Sequence, residues 1–154
     1  MNLVDELHSV AAALTAAGIP YAVCGGIAVT VHGATRTTKD IDILVARADL
    51  ARALDAVRPL GYAFPALPMT FEAGTERERH VQRVSKIDGR EHLVLDFILA
   101  ESAFAGALDD RTEIALPAGP LAVVSRATLI KMKRLAGRAI DLADLEKLET
   151  PDEP

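Results

Sequence analysis

Three aspartates stand where a carboxylate is costly. Asp40 and Asp42 alternate with Ile41 and Ile43 in "KDIDILVA", and Asp96 lies alone inside the apolar run "LVLDFIL". Strand side chains alternate faces, so Asp40 and Asp42 point one way while Ile41, Ile43 and Val45 point the other. The isoleucines can enter a core, which leaves two like charges side by side on the opposite face. Such a pair is destabilising unless one acid is protonated or a cation sits between them. Mg²⁺ is suited to the role, because it takes carboxylate, water and phosphate oxygens. Asp96 also needs a partner if it is buried. Set on a strand beside the first pair, it would complete a carboxylate site for two metal ions. Plainer readings exist for each part: an Asp-x-Asp pair is often merely solvated, and a lone Asp96 can cap a turn or pair with an arginine.

A second group of residues has types suited to phosphate. Gly25-Gly26 ends the short apolar run "YAVC" and opens a helix-like stretch, where backbone N–H groups can cradle an anion and no Cβ blocks its approach. The plainer reading is a tight strand-to-helix turn. Arg36, in the loop before the aspartates, either forks onto phosphate oxygens or pairs with one of the acids. Lys131 and Arg138, on the helical C-terminal segment, are seven residues apart and hence on one face, with Lys133 displaced from them. That face binds triphosphate if it looks into a cleft, and is otherwise solvated. Asp141 and Asp144 follow Arg138 at three-residue steps and can orient it. His32 fits a helix C-terminus structurally. Cys24 is expected to pack as a small apolar residue. The basic residues at 77–86 are read as an exposed strand face, or as a guide for an acidic acceptor.

The elements that would position these groups follow from hydrophobic spacing. Leu3, Leu7, Val10 and Leu14 predict a helix stopped by Gly18, and "YAVC" and "IAVTVHG" predict a strand and a short helix. "KDIDILVA" is a strand, and Asp49 caps a helix through Val57 that Gly61 ends. Residues 62–75, with Pro65, Pro68 and Gly74, are expected to be loop. Asp88-Gly89 marks a hairpin between two β-type runs. "EIAL" and "LAVVS" are short strands, and helices run from Ser125 to about residue 149. A hairpin inside an alternating pattern predicts an α/β (α+β) fold with a mixed sheet and flanking helices.

The totals bound the function. The chain has 154 residues, half of them apolar and a quarter charged, with a net charge of −5, one cysteine and 4% aromatic residues. This suits a single domain, with its core at about 1–125 and C-terminal helices at 126–149. It argues against a large phosphate-binding surface, a base-stacking platform and a Cys-rich zinc site. No apolar run is long enough to span a bilayer. An acidic N-terminal stretch in place of a basic leader points to a cytoplasmic protein.

Taken together, "CGGIAVTVHGATRTTKDIDILV", the later Asp96 and "LIKMKRLAGRAIDLADLEKL" resemble the nucleotidyltransferase superfamily, whose fold is named after DNA polymerase beta. The likeness covers about residues 20–46, 92–98 and 125–148. It looks nearest to small bacterial members such as lincosamide-type enzymes and abortive-infection type IV toxins. The resemblance implies that Asp40 and Asp42 hold Mg²⁺ on the triphosphate of an NTP, and that Asp96 holds a second ion or acts as base on an acceptor hydroxyl. It also implies phosphate contacts from Gly25 and Gly26, though many members carry Gly-Ser there and Gly26 offers no hydroxyl. The acceptor could be tRNA, a protein side chain or a small molecule, and a toxin role would bring a cognate antitoxin. The oligomeric state is open, a dimer included. The alternatives are a nucleotide- or protein-binding module of the same fold without turnover, and a structural subunit.

Overall fold

The computed structural model describes residues 1–34 and 37–149. In chain order it contains α1 (Leu3–Ala16), β1 (Tyr21–Cys24), α2 (Gly25–Val31), β2 (Ile41–Val45), α3 (Leu50–Val57), β3 (Tyr62–Pro65) and β4 (Met69–Phe71). It continues with β5 (Arg79–Asp88), β6 (Glu91–Leu99), β7 (Thr112–Leu116), β8 (Gly119–Val123), α4 (Arg126–Ala136) and α5 (Ala139–Glu149). All strands join one sheet in the order β3-β5-β6-β2-β1-β8-β7, with β4 also paired to β5. β2 is the pivot, antiparallel to β1 and parallel to β6. The sheet is therefore mixed, as the hairpin signal predicts.

Alternation sorts each strand into a sealed face and a half-open one. On β6, Leu93, Leu95, Phe97 and Leu99 are buried, and on β2 Ile41 and Ile43 are fully buried. They join Leu7, Val10 and Leu14 of α1 and Ala53 and Val57 of α3 in the core. Glu6 of α1 reaches the same face, accepting hydrogen bonds from Lys86 of β5 at 2.8 Å and from the Tyr62 hydroxyl at 2.8 Å. The other face carries Asp42, Asp96 and Arg83, and α2 and α4 approach it.

Residues 62–75 depart from the expected loop. Tyr62–Pro65 and Met69–Phe71 are two short strands that lie one after the other along β5. Proline is tolerated there because both strands run along a sheet margin, where a missing N–H costs no ladder bond. Asp49 also differs from expectation: it precedes α3, but its carboxylate accepts from Arg52 at 3.1 Å rather than from a backbone N–H.

The cap that matters for the site is Ser125, whose Oγ accepts from the Thr128 N–H at 3.0 Å and donates to Asp110 at 2.7 Å. It fixes the start of α4, the helix that overhangs the half-open face. Ser125→Ala is expected to cost about 1 kcal/mol of unfolding free energy, read as a lower urea midpoint at unchanged slope. An unchanged midpoint would show that the cap does not hold α4.

Candidate active site

The cross-strand register brings the site together. Asp42 of β2 lies opposite Asp96 of β6, and Asp96 lies opposite Arg83 of β5. One row across three neighbouring strands thus reads acid, acid, base. Asp40 stands two residues before Asp42 and is exposed at the mouth. These residues line one cleft of about 430 Å³ together with Gly25, Gly26, Thr38, Lys133, Arg138 and Asp141. The face of α4 that closes it follows helical spacing: Leu129, Met132, Lys133 and Ala136 all line the cleft.

Asp96 has the strand position expected of it and also the plainer partner, an arginine. It stands beside Asp42, and its two oxygens accept a forked pair of hydrogen bonds from Arg83, at 2.9 Å from Nε and 3.0 Å from Nη2. Arg83 belongs to the stretch read from sequence as an exposed basic arm, and its side chain remains partly exposed. Gly25 has a task besides the one its type suggests. Its φ is +65°, and a Cβ there would meet Cγ of Asp42 at 2.7 Å. The glycine first makes room for the protein's own carboxylate, with φ in the region where side chains are strained.

The cations on the helical side are rearranged relative to the sequence reading. α4 ends at Ala136, and Gly137 turns left-handed with φ +62° before Arg138 caps α5. Lys131 and Arg138 therefore do not share a helix face. Lys131 is exposed and is not among the cleft-lining residues, whereas Lys133 is buried and lines the cleft. The Lys133 ammonium sits 3.1 Å from Asp141 and 3.1 Å from Asp144. Arg138 Nε donates to Asp141 at 2.7 Å, and its backbone N–H donates to the same carboxylate at 3.1 Å. So Asp141 orients Arg138 as anticipated, while Asp144 serves Lys133. Arg36 lies outside the described residues. His32 binds the Val124 carbonyl at 2.9 Å and is structural. Cys24 is buried opposite Asp42, and burial, then Asp42, push its thiol up.

Electrostatics single out Asp42. Its pKa is raised to about 7, first by burial and then by the charges of Asp96 and Asp40, with Lys133 and Arg138 pulling the other way. The three acids therefore act on one another, and Asp42 is held as an acid short of positive charge. Carboxylate oxygens crowded in this way suit a hard divalent cation. Asp40 and Asp42 have oxygens to offer, while those of Asp96 are engaged by Arg83. Accordingly, among the described residues no group of three or more His, Cys, Asp or Glu is already gathered for a metal ion. Each Asp96 oxygen keeps a lone pair beyond its bond to Arg83, so a metal there would share the carboxylate with the guanidinium.

The aminoglycoside-2''-adenylyltransferase family model matches residues 6–91, over half of the chain. The chain belongs to the aminoglycoside-2''-adenylyltransferase family. It is thus a nucleotidyltransferase by family, and the matched span contains Gly25, Gly26, Asp40, Asp42 and Arg83. No curated protein matches it in sequence. Solved structures share its fold at low identity. A lincomycin-bound lincosamide antibiotic adenylyltransferase, LnuA, superposes with a TM-score of 0.59 at 15% identity, covering 95% of this chain and 96% of its own. A nucleotidyltransferase from Thermotoga maritima gives 0.62 at 13% identity, covering 94% and 90%. The antibiotic-resistance factor ANT(2'')-Ia, in complex with adenylyl-2''-tobramycin, gives 0.57 at 17% identity, covering 94% and 86%.

Because the folded pKa of Asp42 lies above its unfolded value, the folded metal-free protein holds a proton that the unfolded chain releases between about pH 4 and 7. Stability from this group is full below pH 4 and is lost as pH rises to 7. In EDTA at pH 8, Asp42→Asn is therefore expected to melt several degrees above the parent, and the gap should close toward pH 4. Parallel melting curves with no pH-dependent gap would show that the carboxylate is not crowded.

Proposed function

We propose that this cleft is a Mg²⁺-dependent nucleotidyltransferase centre that transfers AMP from ATP to a hydroxyl of a small molecule. The supporting observation is the registered row Asp42–Asp96–Arg83, with Asp40 beside it and a glycine forced against Asp42. The family description favours adenylate as the transferred group and a small hydroxylated acceptor over tRNA or a protein side chain. Nothing in this reading calls on a cognate antitoxin.

Asp40 and Asp42 would hold Mg²⁺, with Asp96 as the third carboxylate for a second ion. When bound, the metal neutralises the triphosphate and steadies the charge that develops as pyrophosphate departs. The chain's own groups do the rest. Arg138, aimed by Asp141, and Lys133, held by Asp141 and Asp144, place positive charge on the α4–α5 side for the β- and γ-phosphates. The backbone at Gly25-Gly26 approaches the phosphates from the end of β1. On the opposite flank Asp96 takes the proton of the acceptor hydroxyl. The hydroxyl oxygen forms a bond to the α-phosphorus, the bond from that phosphorus to the bridging oxygen breaks, and pyrophosphate leaves with the electron pair. Arg83, freed from Asp96 as that carboxylate changes partner, can follow the negative charge onto the phosphates.

Phosphoryl transfer depends on charge neutralisation and alignment, so loss of one metal carboxylate is severe. Asp40→Asn and Asp42→Asn are each expected to reduce Mg²⁺-dependent transfer of label from α-labelled ATP by about 100-fold or more with the fold retained. If ATP with Mg²⁺ raises the melting temperature but is never turned over, the cleft is a binding module instead. Running all four NTPs in the same assay checks the choice of adenylate.

A further inference from the structure

The register that builds the charged row also sets what lies next to it. Two residues further along the same strands, Ile98 of β6 lies opposite Val81 of β5, and Val81 lies opposite Met69 of β4. The next row pairs Arg79 with Phe71. All five residues line the cleft. An apolar strip therefore begins one strand repeat from Asp96, on the flank away from Gly25. The Phe71 ring is 41% exposed, and the Arg79 guanidinium lies 5.3 Å from its centroid.

On this flank two arginines share one carboxylate. Arg79 donates to Glu72 at 2.6 Å, and Arg77 donates to the same carboxylate oxygen at 3.1 Å. The carboxylates among the described cleft-lining residues are Asp40, Asp42, Asp96 and Asp141. The first two serve metal on the reading above, Asp96 serves metal or Arg83, and Asp141 serves Lys133 and Arg138. None of them is left over to receive an ammonium group. An aminoglycoside carries several ammonium groups, and each would need an acidic partner to leave water without penalty. Here it would instead meet Arg79, Arg83 and hydrocarbon.

We infer that the acceptor is a hydroxylated molecule with an apolar or aromatic face and no cluster of ammonium groups, seated on Ile98, Val81, Met69 and Phe71. This rests on the nucleotidyl-transfer reading of the same cleft. Membership in a family described by aminoglycosides makes a polycation the default acceptor, and the wall of this cleft selects against one. Burial of the acceptor's apolar face on the strip supplies affinity, and the strip's closeness to Asp96 presents a hydroxyl to the reacting flank.

The chain offers a direct probe, since its three methionines are Met1, Met69 and Met132. Met69 and Met132 line the cleft, and Met1 lies away from it against Glu91. With ¹³C-methyl methionine in the full chain, phenyl β-glucoside is expected to shift the Met69 signal saturably and leave Met1 still. Tobramycin at the same concentrations should move neither Met69 nor Met132. Phe71→Ser should weaken phenyl glucoside binding by about 10-fold or more, with Met1 and Met132 signals at their parental positions as proof of fold. Saturable shifts with tobramycin, or no methyl moving with phenyl glucoside, would overturn the inference. A separate titration with ATP and Mg²⁺ reads the nucleotide half through Met132. If that titration is silent and no label is transferred, the reaction reading fails, whichever way the glucoside and tobramycin titrations fall.

Discussion

One constraint organises the molecule: three carboxylates share a corner of a sheet that supplies one arginine, Arg83, against them. Asp42 shows the strain most clearly, with its proton affinity raised by burial and by both neighbours. The surroundings are arranged around that excess of negative charge. Gly25 withdraws its side chain so that Asp42 fits, Arg83 clamps Asp96, and Lys133 and Arg138 approach from the helical side. Sealed hydrocarbon on the reverse face of the same strands keeps the acids from turning inward. A divalent cation is the species that would relieve the excess most fully.

The arrangement also separates tasks by strand order. Reading across the sheet from β1, the chain presents a glycine turn, then paired acids, then an arginine, then an apolar strip. On the proposed reading, phosphate chemistry belongs to one flank and the acceptor to the other, with Asp96 between them. β4 is an antiparallel addition at the edge of the sheet, paired to β5, so its side chains can vary without disturbing the carboxylate row. That independence is how one scaffold can serve many acceptors.

Much of this could be read from residue types and spacing. The period-2 pattern placed Asp40 and Asp42 on one face, the isolated Asp96 inside "LVLDFIL" pointed to a neighbouring strand, and Gly18, Gly61 and Ser125 marked helix ends. What escaped was register and turn detail. Asp88-Gly89 announced the hairpin, but the two loop residues are Gly89 and Arg90, because Asp88 pairs with Glu91. Gly89 has φ +62°, as a turn with glycine at its first central position requires. Taken as the central pair, Asp88-Gly89 would have set Asp96 opposite Val81 and hidden its contact with Arg83. Lys131 was favoured over Lys133 because a seven-residue spacing was carried across Gly137, where the helix breaks. The strands at 62–71 were masked by prolines that a sheet margin accepts. For the hairpin register and the edge strands a long-range pairing decided the outcome, and local propensity carries no record of it.

The last helix contributes no atom to the carboxylate row, yet the row depends on it. Lys133 is buried with its ammonium between Asp141 and Asp144 of α5, and the Arg138 head is steered by that same Asp141. Remove α5, by a premature stop or by proteolysis after Arg138, and the lysine loses both counterions while remaining among hydrocarbon. The nearest acids would then be the ones meant for metal, and the orphaned cation would compete for them. The last helix is in this sense a reservoir of countercharge, and on the proposed reading its loss would silence the centre without touching any residue assigned to nucleotide or acceptor.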